Sequence, residues 1–169
     1  MNAELIAILN KYGNSTVEQI RQNLASTGTN ATGSTSRSLR YEVTNAGTKA
    51  TLKVIGKTYM AVVETGRKPT PEYTKPSVEF VDSIKEWLRA RGKDEKSAYG
   101  IAKSIHAKGT KLFRDGGRKD IISNVVNQNL LDKIGLDLLN TFAEQFLANT
   151  VKLFRDGSDN FGASTGAGT

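Results

Sequence analysis

"LRYEVTNAGTKATLKVIG", residues 39–56, decides what kind of fold this chain adopts. Leu39, Tyr41 and Val43 alternate with polar neighbours, so a strand would put all three on one face. Leu52 and Val54 do the same on a second strand. "NAG" between them carries turn-forming residues, and the two strands read as an antiparallel hairpin. A lone hairpin is marginal in water. Helices must therefore cover its apolar face, and the flanking sequence supplies them. The expected fold class is α+β: a small antiparallel sheet, about 39–56, packed with several amphipathic helices.

Upstream, Leu5, Ile6, Ile8, Leu9 and Tyr12 form a broad apolar helical face. Gly13 and Asn14 read as a stop, and Ser15 with Glu18 as a capping box opening a second helix that buries Val17, Ile20 and Leu24. Residues 1–25 are thus expected to be a helix pair. Residues 26–38 hold no apolar side chain larger than alanine and read as a flexible polar arm. A helix-turn-helix regulator of DNA would need its recognition helix there, and the composition is poor for one. A DNA-binding regulator remains the alternative functional reading.

Downstream, "KTYMAVVETG" (57–66) fits a short helix stopped by Gly66, with a strand as the alternative. "RKPTPEYTKPS" (67–77) contains all three prolines and reads as a stiff, extended loop. Ser77 caps the next helix, with Glu79 in its first turn and Val81, Ile84, Trp87 and Leu88 on one side. Gly92 ends it. Another helix is expected from about Glu95 to Lys108, with Ala98, Ile101, Ala102 and Ile105 as a narrow seam and Gly109 as its end. These elements make an α+β core over 39–131. A C-terminal helix, 132–156, offers Leu138, Leu139, Phe142, Phe146 and Leu147 to a core or a partner. Residues 157–169 are small and polar and read as a flexible tail.

At 169 residues and 37% hydrophobic, the chain has material for one modest core. Zero cysteines exclude disulfide and thiolate chemistry. No apolar run is long enough to span a membrane, and "MNAELIAILNKYG" lacks a signal peptide's basic region and cleavage site.

The net charge of +7 is concentrated in one window. Residues 85–119 carry eleven Lys/Arg against four Asp/Glu, and the other 134 residues carry thirteen of each. The candidate contacts are Lys85, Arg89, Arg91, Lys93, Lys96, Lys103, Lys108, Lys111, Arg114, Arg118 and Lys119. Such a cluster can meet DNA phosphates or an acidic protein face, or it can be a solvated surface.

Catalytic signals are weak. His106 is the only histidine and has no metal-ligating companions at suitable spacing. Asp115, Asp120 and Asp132 are scattered, and "DGSDN" (156–160) lacks the closing Glu of a calcium loop. The chain reads as a non-enzyme with no cofactor. "KLFRDG" occurs at 111–116 and 152–157, but its flanks do not align, so it reads as one helix-exit device used twice rather than a duplication. A shared binding role for Arg114 and Arg155 is the alternative.

"TYMAVVETGRKPTP" sets Tyr59, Ala61, Val63, Glu64 and Gly66 close to the order Y-A-x-x-V-E-x-G, with Met60 standing between Tyr59 and Ala61 and one residue rather than two between Ala61 and Val63. With the preceding hairpin, the helix bearing Trp87 and "AYGIAKSIHAKGTKLF", it resembles neck proteins of tailed bacteriophages: head–tail connector, tail-completion and ring proteins. The likeness covers about residues 38–113. It implies a structural virion protein of the neck or tail, assembled in the host cytoplasm. It also implies a ring, twelve-fold to match a portal, between portal and tail and around the DNA channel. The partners implied are copies of itself, the portal, adjacent neck and tail proteins, and packaged DNA without sequence preference; no membrane is involved. Arg67, Lys68, Pro69, Pro71, Tyr73 and Pro76 are the expected inter-subunit loop.

Overall fold

The computed structural model describes residues 3–46, 49–70 and 75–162. The hairpin is present: β1 (Arg40–Ala46) pairs antiparallel with β2 (Lys49–Ile55). Tyr41 lies opposite Val54 and Val43 opposite Leu52, so all four share one face, as the alternation requires. Of the expected turn residues, Asn45 and Ala46 are instead paired within the ladder, opposite Ala50 and Lys49, and Gly47 lies outside the described residues. Helices cover the sheet, and the fold is α+β.

The N-terminal helix pair is corrected. α1 runs unbroken from Ala3 to Ser26. Gly13 and Asn14 are poor helix formers, yet Gly13 is buried where α1 crosses the hairpin. Its missing side chain lets the helix axis approach Tyr41 and Leu52. The capping box does not form: Ser15 Oγ accepts from Gln19 and Glu18 pairs with Arg21 at 2.5 Å. Alanine for glycine within a helix ordinarily stabilises by about 0.5–1 kcal/mol. Here a Cβ would stand 2.5 Å from the Tyr41 ring and 2.8 Å from Leu52. Gly13→Ala is instead expected to destabilise by about 1–3 kcal/mol, read as a lower urea midpoint.

Residues 26–38 are not a free arm. Arg21 donates to the backbone oxygens of Ser36 and Leu39, at 3.3 and 2.7 Å. A short helix, α2 (Ser34–Ser38), buries Thr35, whose hydroxyl bonds to Tyr59. Hydrogen bonds to Arg21 of α1 and to Tyr59, just past the hairpin, override the arm-like composition.

"KTYMAVVETG" forms a 3₁₀ turn (Thr58–Ala61) and α3 (Val62–Thr65), ended by Gly66. α4 (Val78–Ala90) starts at Ser77, whose Oγ accepts from Phe80 N as the sequence predicts. α5 (Ala98–Lys108) comes after a second 3₁₀ turn and pairs with α4, burying Leu88, Ala98 and Ala102. α6 (Lys111–Arg114) is a single turn capped by Thr110. α7 spans Gln128–Gly162, longer than expected at both ends.

The two "KLFRDG" copies differ. The first is α6 and its exit; the second continues inside α7. The helix-exit reading holds for the first only. Residues 156–160 are likewise helical, which is not a calcium-loop conformation. Residues 157–162, read as the start of a tail, belong to α7, and 163–169 lie outside the described residues.

The core gathers Val17, Ile20, Leu24, Leu39, Val63, Ile121 and Val125, with Tyr41, Met60 and Ile122 against them. α7 lies along α1, antiparallel to it. Asp137 accepts from Lys11 at 3.1 Å and Tyr12 at 2.9 Å, and Gln145 meets Glu4. The bond from Lys11, then that from Tyr12, holds the Asp137 carboxyl below its ordinary range. No described helix is long and apolar enough to cross a membrane.

Candidate functional site

The basic window folds into α4, α5, α6 and their connections. Part of its charge is neutralised locally. Lys85 pairs with Asp82 at 2.8 Å and Arg89 with Glu95 at 2.8 Å. Lys111 reaches Asp115 at 3.9 Å. Arg118 grips Asp120 with two bonds, at 2.6 and 2.7 Å. That grip lowers the Asp120 carboxyl and raises the Arg118 guanidinium. Arg91 lies over Trp87 at 4.8 Å and donates to Gly28 O, tying α4 to the residues after α1. Lys93 sits 6.0 Å from the same ring. Lys96, Lys103, Lys108, Arg114 and Lys119 are exposed and make no ion pair among the described residues. Arg91 and Lys93 likewise have no carboxylate partner among the described residues, and the five differ from them in making no ring contact there. Exposed pairs of this kind contribute little to stability.

The start of the proline loop is stitched to its own chain. Arg67 and Thr110 exchange bonds at 3.0 and 2.9 Å, and Thr70 N donates to His106 O at 2.8 Å. The Arg67 guanidinium stacks 3.8 Å from the Phe80 ring. Lys68 and Pro69 are exposed and Pro76 is half-buried. Pro71 and Tyr73 lie outside the described residues. His106 is buried at the end of α5. A cavity of about 530 Å³ opens between α4–α5 and residues 29–35; Trp87, Ile101 and Ile105 supply an apolar wall and Ser34, Thr35 and Tyr59 a hydroxyl-bearing one.

The residues of the Y-A-x-x-V-E-x-G pattern have structural duties. Val63 is in the core. Tyr59 bonds to Thr35. Gly66 packs against the backbone of Phe113. Glu64 is buried, and one of its oxygens accepts from the backbone N–H groups of Ile121, Ile122 and Ser123, at 3.0, 2.6 and 3.0 Å. Its other oxygen takes the Ser123 hydroxyl at 2.5 Å. Burial pushes its carboxyl up, and the bonds from Ser123, Ile122 and Ile121 outweigh this and hold it below the ordinary value. Glu64 thereby organises the turn that carries Ile121 and Val125 into the core.

The chain matches no family model, no curated protein and no solved structure.

Asp115 and Asp120 are exposed, and each is paired to a basic neighbour. No group of three or more His, Cys, Asp or Glu side chains that could hold a metal occurs among the described residues. Sequence reasoning missed the Glu64 cradle, because its partners lie nearly sixty residues away and are backbone groups. It also left open whether α7 meets a core or a partner. Leu139, Phe142, Phe146 and Leu147 are exposed, so the described residues do not cover them.

Proposed function

We propose that this protein is a structural component of a tailed-phage virion: a ring subunit of the neck, between portal and tail and around the DNA channel. It has no catalytic role and takes no cofactor. The observation that carries the reading is α7. Past Gln145 the helix continues for seventeen residues, and Phe146, Leu153 and Phe154 are 71%, 74% and 77% exposed. A surface that apolar is built to be completed by other chains. The sequence likeness around Tyr59–Gly66 supports the neck as the assembly. The five uncommitted cations on α5, α6 and their flanks suit phosphate contacts indifferent to base sequence. α1 is a single helix and residues 26–38 hold only α2, so residues 3–38 lack helix-turn-helix geometry.

The test is reconstitution with portals from tailed phages, viewed by negative stain. Rings seated on the portal are expected; a chain that no portal captures would sink the reading. For DNA, the triple variant Lys103→Glu, Lys108→Glu and Arg114→Glu should flatten the dependence of log affinity on log salt by about 3, equally for unrelated sequences. An unchanged slope would remove DNA as a partner.

A further inference from the structure

α7 presents three faces. Ile134, Asp137, Leu138, Thr141 and Gln145 are half-buried, and their spacing directs them to the side that meets α1. Leu139, Phe142, Phe146 and Leu153 form a second stripe, with Leu139, Phe146 and Leu153 spaced by sevens. Leu136, Leu147, Val151 and Phe154 form a third. At 3.6 residues per turn the two outer stripes lie about 110° apart. All eight of their side chains are 48–77% exposed. Each stripe leaves on the order of 500 Å² of apolar surface in water, at the upper end of an ordinary monomer's largest patch, and one stripe packed on the other removes on the order of 1,000 Å², near the lower limit of a specific interface.

We infer that residues 136–154 of α7 pack between the same helices of two further copies of this chain, the second stripe of one copy against the third stripe of the next. This rests on the proposed ring assembly and names its surface. Three observations select copies of the chain as the occupant. The two stripes run over the same length of helix, so a like helix on each side covers both at once. Residues 128–155 carry three acidic and three basic side chains, so copies gather there without net repulsion, unlike residues 85–119. The stripes are different surfaces, so the contact is head-to-tail and repeats around a closed ring, whereas a two-fold pair would use one stripe and leave the other wet.

The experiment is sedimentation velocity and native mass spectrometry on the full chain, with Phe146→Glu and Leu147→Glu as single variants, one from each outer stripe. Wild type is expected to assemble into more than two copies. Each variant should weaken assembly at least about tenfold. Trp87 fluorescence and helical circular dichroism should not change, since both side chains are exposed in the single chain. Three results would overturn the inference: a monomeric wild type at micromolar concentration, assembly that survives both variants, or a dimer indifferent to Leu147→Glu. A monomer that portals nonetheless capture overturns only this inference. Assembly lost in both variants without portal capture supports it and sinks the neck reading instead.

Discussion

Glu64→Ala is expected to cost about 3–5 kcal/mol, a large share of the roughly 5–15 kcal/mol that holds a domain together. The substitution strips the acceptor from three backbone N–H groups and one hydroxyl at a buried site. The N–H of fully buried Ile121 cannot reach water without opening the turn, and opening it withdraws Ile121 and Val125 from the core. Glu64→Gln keeps one carbonyl oxygen for the three N–H groups and should lose less, about 1–2 kcal/mol. Acidity separates the charge from the shape. The folded carboxyl titrates below the unfolded one, so its contribution is complete above the unfolded value and disappears as pH falls through the folded value. The gap between wild type and Glu64→Gln should therefore be widest at neutral pH and shrink in acid. Urea unfolding at several pH values measures it; a gap independent of pH would show that the charge contributes nothing.

Gly66→Ala is the second large effect, expected to destabilise by about 2–4 kcal/mol from backbone strain and overpacking together. Gly66 sits at φ +73°, where an L side chain strains the backbone by about 1–2 kcal/mol. The new Cβ would also fall on the backbone N of Phe113 and 2.8 Å from its Cα, atoms that cannot swing aside. The line of contacts from Gly66 through Thr110 to Phe113 fixes where α6 and the 117–125 segment begin. Gly100→Ala, on an exposed face of α5 with nothing within 4 Å, is the control and should be neutral or slightly stabilising. Equal midpoints for the two variants in urea would contradict the packing described around Gly66.

Local devices were legible because their partners are near in sequence. The alternation along each strand, the Ser77 cap, the stop at Gly66 and the ends of α4 and α5 at Gly92 and Gly109 each depend on residues within a few positions of one another. Devices that failed in the reading depend on distant contacts. Gly13 looks like a helix stop until the Tyr41 ring is placed beside it, where the absent side chain becomes the reason the helix fits. The 26–38 segment looks like a free arm until Arg21 and Tyr59 bind it. The basic window was visible as a count, but only the fold separates cations paired with nearby carboxylates from the five left uncommitted.

By itself, then, the order of amino acids determined the α+β class, the strand faces, the helix boundaries at Gly66, Ser77, Gly92 and Gly109 and the place of the positive charge. These come from periodicity and backbone preference, which act over a turn or two. Tertiary structure alone decided that α1 is continuous, that Glu64 is a buried acceptor for a turn far along the chain, and that α7 keeps two apolar stripes in water. Each depends on which surfaces approach one another, and burial is set by that approach rather than by any residue's neighbours in the chain.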